Sequence, residues 1–179
     1  MQRRPDGSYI PKTGISVIYL AGGCFWGLEK AFAGIHGVTD TECGYANGRG
    51  GAVPDYATVC SGRFGYKEAV RVEYDSRVIG LERLLFAFFS VIDPGSADRQ
   101  GNDRGVQYGT GVYWIDEDSA AAVVSYVDAE RLRHKVFRTE IGPLENFFPA
   151  EPEHQDYLDR NPGGYCHIPW EMIRDLRRL

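Results

Sequence analysis

The sequence predicts an α+β fold, with one mixed or antiparallel sheet and packed helices in a ferredoxin-like two-layer core. Strand and helix patterns both occur along the chain, and they do not alternate as regular βα units would. The 179 residues suit one compact domain, and a hydrophobic fraction of 43% is ample for its core.

The chain divides by composition into an arm and a domain. Residues 1–14 are polar, contain two prolines and two glycines, and are predicted to form an N-terminal arm. Residues 15–179 are predicted to form the single domain. Its last part, 142–179, is rich in proline, glycine and aromatic residues and is expected to be irregular, with short helices near 153–159 and 170–179.

The first predicted elements are a buried strand and a helix. The apolar run 15–21 contains β-branched residues and is typical of a strand buried on both faces. Two glycines end it, and apolar residues then recur at helical spacing from Phe25 to Ile35. Cys24 therefore falls between a buried strand and the first turn of a helix.

Periodicity and breakers indicate the later elements. Alternation predicts a strand over 67–74, in which Glu68 shares a face with Val70, Val72 and Tyr74. The remaining predicted elements are a strand over 38–45, a loop over 47–54, a helix over 81–92 stopped by Pro94, a long loop over 95–111, a strand over 112–115, a helix over 116–136 and a strand over 137–141.

The charge distribution argues against two classes of partner. Twenty basic and 25 acidic residues give a net charge of −5, with no basic stripe for nucleic acid and no basic amphipathic run for a membrane surface. The run 15–21 is too short to span a bilayer, and no apolar signal segment precedes it. We therefore expect a cytoplasmic protein.

Four cysteines are present: Cys24, Cys43, Cys60 and Cys166. No pair has the Cys-x-x-Cys spacing, and the first three match no common zinc site, so we expect no metal. In a cytosolic chain of this size, cysteines serve core packing or thiol chemistry more often than disulfide staples.

Cys24 is the first candidate for chemistry. Unpaired N–H groups and the helix dipole at a helix N-terminus favour the thiolate, which is the nucleophilic form. The flanking glycines allow close approach of a substrate, and Phe25 and Trp26 can form an apolar wall beside the sulfur. The alternative is that Cys24 is a small core residue and the aromatic residues fill the core.

Glu68 is the second candidate. A carboxyl group on an apolar strand face is desolvated, which favours its protonated form. A protonated carboxylic acid can donate a hydrogen bond or a proton at neutral pH. The alternative is a frayed strand end with Glu68 in water.

Two loops complete the candidates. The segment 100–108 concentrates polar side chains and two glycines, which is typical of functional loops, although Asn102 and Asp103 can also serve as turn caps. The glycine-rich segment 161–167 carries Cys166 in a setting that suits a mobile resolving thiol or an inert surface thiol.

Together these segments resemble the peptide methionine sulfoxide reductase A family over nearly all of the chain from Ile18 to Cys166. The resemblance implies a similar α+β fold and makes 15–179 the catalytic domain. The segments that carry it are, in chain order, Gly22–Gly27, Gly44–Gly48, Pro54–Tyr56, Glu68–Val70, Gln100–Tyr108, His154–Leu158 and Asn161–Cys166.

The resemblance implies a role for each matching residue of the reaction centre. Cys24 would attack the sulfoxide sulfur, and Glu68 would be the protonated acid at the sulfoxide oxygen. Tyr56 and Tyr108 would hold the same oxygen with their hydroxyls. Asp103 would order the pocket.

The resemblance also implies the rest of the cycle. Phe25 and Trp26 would receive the S-methyl group of methionine-S-sulfoxide, free or in oxidised proteins. Cys166 would resolve the Cys24 sulfenic acid as a disulfide, which an external dithiol such as thioredoxin would reduce. No bound cofactor is expected, and a monomer is expected.

Three other functions stay open at the level of sequence: a thiol-based redox sensor, a thiol peroxidase and a Cys–His hydrolase. Joint presence of Glu68, Tyr56 and Tyr108 favours the reductase. Cys43 and Cys60 are interpreted as structural, with a pairing of Cys60 and Cys24 as the alternative.

Overall fold

A computed structural model describes residues 14–50 and 53–179. The predicted arm over 1–14 thus lies outside the described residues except for Gly14. The elements in chain order are β1 (Ser16–Ala21), α1 (Phe25–Ala33), β2 (Val38–Ala46), α2 (Tyr56–Cys60), β3 (Lys67–Tyr74), α3 (Leu81–Val91), β4 (Arg99–Gln100), β5 (Asp103–Arg104), a 3₁₀ turn (Val106–Tyr108), β6 (Gly111–Trp114), α4 (Glu117–Arg131), β7 (Glu140–Pro143), β8 (Phe147–Pro149), a 3₁₀ turn (Pro152–His154), α5 (Tyr157–Arg160) and α6 (Trp170–Leu176).

The main sheet has six strands in the order β7-β6-β1-β3-β2-β8. Its four central strands, β6, β1, β3 and β2, are antiparallel to one another, and α1 and α3 connect β1 to β2 and β3 to β6. This arrangement confirms the predicted mixed sheet and ferredoxin-like core. The edge strand β7 runs parallel to β6, whereas β8 runs antiparallel to β2.

The two faces of the sheet have different neighbours. Alternate residues of β1 and β3 form the core with the apolar faces of α1 and α3, and Leu20 lies opposite Val70 in the sheet register. The other face carries a smaller apolar cluster around Tyr19, Tyr113 and Phe147. Since side chains alternate along a strand, Glu68 points to the same face as Val70, toward the helices.

Four features differ from the prediction. The expected strand over 137–141 is displaced to β7, and β8 lies in the segment that was expected to be irregular. The long loop over 95–111 contains the small β4–β5 hairpin, and α4 ends at Arg131 instead of residue 136. Strands of two to four residues are too short for alternation to be visible in a sequence, and their pairing depends on partners far away in the chain.

The helices of the described part of the chain are short. The longest of them, α4, has 15 residues. Within residues 14–50 and 53–179, no helix combines the length and the apolar character needed to cross a membrane.

Candidate active site

Cys24 is the N-cap residue of α1, directly after the turn that follows β1. Gly23 makes this turn with a φ of 80°, in the left-handed region that glycine adopts without strain. A methyl group at Gly23 would lie 2.8 Å from His167 Nε2 and 2.7 Å from Gln100 Cβ. The turn therefore needs glycine both for its backbone conformation and for the close approach of two other segments.

The Cys24 thiol is buried, with 7% of the residue exposed. Burial raises the pKa of Cys24, and the Glu68 charge raises it further, while the backbone N–H of Trp26 lowers it. The expected effect of the helix N-terminus is thus present, but burial opposes it. Desolvation outweighs one N–H group, so the resting side chain is a thiol.

Glu68 lies in β3 under the beginning of α1 and is 1% exposed. Its Oε2 accepts a hydrogen bond of 3.1 Å from the backbone N–H of Phe25, the residue after Cys24. Burial raises the pKa of Glu68 to about 8, the N–H of Phe25 opposes this, and the Asp103 charge adds to it. The carboxyl group is therefore mostly protonated at neutral pH, and the alternative of a solvated strand end does not hold.

Tyr56 and Tyr108 face each other across the same site, from α2 and from the 3₁₀ turn after β5. Burial raises the pKa of Tyr56, as does the Glu68 charge. Burial and the Glu68 charge raise the pKa of Tyr108 to about 12, although the Tyr56 hydroxyl lowers it. Both side chains remain phenols at neutral pH and can donate hydrogen bonds.

The β4–β5 hairpin brings Asp103 to the site. The Tyr165 hydroxyl donates a hydrogen bond of 3.1 Å to Asp103 Oδ2. The hairpin is anchored by Gln100, whose side-chain amide donates to the Asp93 carbonyl at 2.9 Å and accepts from the Asp93 N–H at 2.8 Å. The Asp103 charge raises the pKa of Cys24 and of Glu68. Asp103 thus favours the protonated forms of both groups.

An aromatic cluster holds Trp26 beside Cys24. The Trp26 indole stacks on Tyr157 with ring centroids 3.8 Å apart. Its Nε1–H donates to His154 Nδ1 at 3.3 Å, which implies that the His154 proton sits on Nε2. The His154 ring also packs against Phe25 and Tyr56, at 5.4 Å and 4.8 Å between centroids. Phe25 and Trp26 therefore form an apolar wall with a fixed orientation.

Glu151 holds Tyr56 and Tyr45 beside this cluster by hydrogen bonds. No sequence pattern indicates this role. One carboxylate oxygen accepts the backbone N–H of Tyr56 at 2.8 Å, and the other accepts the Tyr45 hydroxyl at 2.6 Å. His154 Nε2 lies 3.9 Å from the same carboxylate. The roles of Glu151, His154 and Tyr157 depend on contacts over about a hundred residues, so only the family segment His154–Leu158 hinted at them.

Cys166 lies close to Cys24 in space. A methyl group at Gly27 would lie 3.2 Å from Cys166 Sγ, and Gly27 is one helical turn after Cys24. The Cys166 charge also raises the pKa of Cys24, in keeping with two thiols that share one site. All four cysteines are free in this structure; Cys43 is buried in β2, and Cys60 is exposed at the end of α2.

The family model described as peptide methionine sulfoxide reductase matches residues 16–178. The chain belongs to this family. A relative from Clostridium acetobutylicum, peptide methionine sulfoxide reductase MsrA, is 47% identical over 158 residues, covering 88% of this chain and 97% of the relative. The family makes the chain an oxidoreductase that reduces peptide methionine sulfoxide, as the resemblance implied.

Two solved structures of the family have the same architecture. Mxr1 from Saccharomyces cerevisiae in its reduced form superposes with a TM-score of 0.82 at 32% identity, over 88% of this chain and 92% of that one. Methionine sulfoxide reductase A of Corynebacterium diphtheriae gives 0.79 at 33% identity, over 93% and 89%. The fold expected from the resemblance is thus confirmed.

Proposed function

We propose that the chain reduces methionine-S-sulfoxide, free or in oxidised proteins, with Cys24 as the nucleophile and Glu68 as the acid. The hydrogen bond from the Phe25 N–H to Glu68 carries this proposal. It fixes a protonated carboxyl group beside the backbone that carries the Cys24 sulfur. A nucleophile and an acid in one desolvated site are what attack on a sulfoxide requires, since the sulfoxide oxygen is a poor leaving group.

The oxygen atom moves from one sulfur to the other. As Cys24 Sγ attacks the sulfoxide sulfur, Glu68 gives a proton to the oxygen, while Tyr56 and Tyr108 donate hydrogen bonds to it. The methionine S–O bond breaks and a Cys24 S–O bond forms, so methionine gains two electrons and Cys24 becomes a sulfenic acid. The proton of the Cys24 thiol balances the one that Glu68 supplied, and Glu68 returns to its protonated state.

The aromatic wall accounts for the choice of substrate. Phe25 and Trp26 offer an apolar surface for the S-methyl group, and the hydroxyls of Tyr56 and Tyr108 lie on the side of Glu68. When the methyl group and the oxygen are fixed on these two sides, the two epimers differ in which of the remaining positions the lone pair and the rest of the methionine side chain take. Only one epimer therefore fits. Each sulfoxide epimer has its own class of enzyme, and we assign this chain to the class that takes the S epimer.

Cys166 and an external dithiol close the cycle. Cys166 condenses with the Cys24 sulfenic acid to a disulfide, and water leaves. We infer that a thioredoxin reduces this disulfide and that no bound cofactor is needed. A structure of yeast Mxr1 in complex with Trx2 has this fold at 22% identity and a TM-score of 0.58, over 88% of this chain. We infer a location in the cytoplasm, where dithiol reductants keep thiols reduced. We also infer a monomer, since both proposed cysteines belong to one chain.

The test is the fate of racemic, N-blocked methionine sulfoxide with excess dithiothreitol, followed on a chiral column. We expect consumption to stop at about half of the substrate, with only the S epimer gone. The Cys24→Ser variant should consume neither epimer. If neither epimer is consumed by the unaltered protein while hydrogen peroxide is, the chain is a peroxidase and the proposal fails.

A further inference from the structure

His167 follows Cys166 directly, and its ring lies across the beginning of α1. A methyl group at Gly23 would lie 2.8 Å from Nε2, and one at Gly27 would lie 3.1 Å from Nδ1. Gly23 is the residue before Cys24, and the Gly27 position is also 3.2 Å from Cys166 Sγ. Nε2 therefore faces the Cys24 turn, and Nδ1 and the Cys166 sulfur both lie against the same position of α1.

Both ring nitrogens are sealed from solvent, and within the described residues neither makes a well-formed hydrogen bond, although the Gly22 carbonyl is close enough to raise the pKa of the ring. A buried polar atom with incomplete hydrogen bonding costs free energy, so such an atom in an active site calls for an explanation. The position of this ring against the Cys24 turn and next to Cys166 offers one. The glycines at positions 23 and 27 leave the room that the ring occupies.

The charges around the ring set its protonation state. Burial lowers the pKa of His167, whereas the Asp103 charge and the Gly22 carbonyl raise it. Asp103 acts on the ring from β5 and accepts the Tyr165 hydroxyl. The Cys166 thiol lies against the same helix position as the ring, and Cys24 follows Gly23, which the ring contacts. A neutral imidazole at physiological pH has one nitrogen free to accept a proton and one that carries a proton.

We propose that His167 carries a proton from Cys166 to the oxygen on Cys24 when the disulfide forms. This rests on the proposed function, since it requires the Cys24 sulfenic acid. Nδ1 takes the proton of the Cys166 thiol, and the Cys166 sulfur attacks Cys24 Sγ. The Cys24 S–O bond breaks, and the oxygen receives the Nε2 proton and leaves as water. A tautomeric exchange then restores the ring, and no outside oxidant is consumed.

The need for such a carrier follows from the thiol itself. Burial raises the pKa of Cys166, a backbone hydrogen bond from Ile168 lowers it, and the Asp103 charge raises it. The thiol also donates to the Ile168 carbonyl at 3.2 Å, a contact that holds the proton on the sulfur. The thiol is thus a weak nucleophile unless a base removes its proton. Hydroxide is also a poor leaving group, so a proton at the departing oxygen speeds the same step.

The experiment is a single turnover of the protein with methionine-S-sulfoxide and no reductant. Methionine release reports the first step, and loss of free thiols reports disulfide formation. In His167→Gln we expect methionine to be released at the unaltered rate, while the disulfide forms at least about tenfold more slowly, because positioned acid–base groups contribute about 10²–10⁴-fold. In His167→Gln, the part of the pH dependence of the disulfide-formation rate that comes from titration of His167 should be absent.

A matched control and a rescue separate proton transfer from support of the fold. His36→Gln, an exposed histidine, should leave both steps unchanged. His167→Ala should be slow, and added imidazole should restore its rate of disulfide formation. Unaltered disulfide formation in His167→Gln, or a slow His167→Ala that imidazole does not restore, would overturn the proposal. Failure of the unaltered protein to release methionine would instead remove the proposed function.

Discussion

The carboxyl group of Glu68 accepts a hydrogen bond of 3.1 Å from the backbone N–H of Phe25, the residue that follows Cys24. This contact ties the third strand to the first turn of the first helix. It places an acid with a pKa of about 8 next to the sulfur that is proposed to attack. Several measurable properties depend on this geometry.

Replacement of Glu68 by glutamine should slow sulfoxide reduction by about a hundredfold or more without abolishing it, since an amide donates a hydrogen bond but releases no proton. In the unaltered protein, the rate should fall as pH rises through about 8, because Glu68 then loses its proton. This fall should be absent in Glu68→Gln. The measurement is the single-turnover rate of methionine release between pH 6 and 10, which covers about two pH units on either side of the Glu68 pKa. An unaltered rate in Glu68→Gln would remove Glu68 from the acid role.

Cys166→Ser should keep its activity with dithiothreitol, which can reach the Cys24 sulfenic acid directly, and should lose its activity with thioredoxin. Steady-state turnover with each reductant provides the measurement. Cys60→Ser is the matched control, since this cysteine is exposed and lies at the end of another helix. Full thioredoxin activity in Cys166→Ser would mean that another thiol resolves, and the double variant Cys60→Ser/Cys166→Ser would test whether that thiol is Cys60.

Gly23→Ala should destabilise the fold and disturb the Cys24 turn together. A φ of 80° costs an alanine about 1–2 kcal/mol, and its methyl group would lie within 3.0 Å of atoms in Gln100 and His167. Urea unfolding should give a loss of at least ~1 kcal/mol in the free energy of unfolding. Gly163→Ala is the control, since nothing lies within 4 Å of the added methyl group and its φ is not in the left-handed region. Equal stability of the two variants would contradict this reading of the turn.

His154→Ala should weaken substrate binding more than it slows the chemical step. The variant loses the acceptor of the Trp26 indole N–H and the ring contacts of His154 with Trp26, Phe25 and Tyr56. Among the described residues, the only ring contact that then holds Trp26 is its stacking on Tyr157. We expect KM to rise about five- to tenfold, as for one lost hydrogen bond of about 1 kcal/mol, with a smaller change in kcat. A lower kcat at constant KM would indicate instead that His154 acts in the transition state.

The sequence was sufficient for the parts of this protein that depend on local pattern. Alternation in residues 67–74 predicts β3 with its observed bounds and places Glu68 on the face of the helices. The two glycines after β1 mark the turn that carries Cys24. Both predictions hold because strand period and turn chemistry act over a few neighbouring residues.

Other features depend on packing between distant segments and were not predictable. The net direction of the Cys24 pKa is one of them, because burial by the surrounding elements outweighs the helix N-terminus that the sequence indicates. Glu151 gains its role from Tyr45 and Tyr56, which lie about a hundred residues away. The ring of His167 lies against the beginning of α1 because of the path of the backbone around it. This segment has no regular secondary structure, so no sequence periodicity predicts its path.

The transfer of oxygen to Cys24 is the central claim, and mass spectrometry of Cys166→Ser tests it most directly. After one turnover with methionine-S-sulfoxide and no reductant, we expect one methionine per chain and one added oxygen on the peptide that contains Cys24, which dimedone should trap. Methionine release with Cys24 unmodified, or with the oxygen on Cys43 or Cys60, would contradict the account.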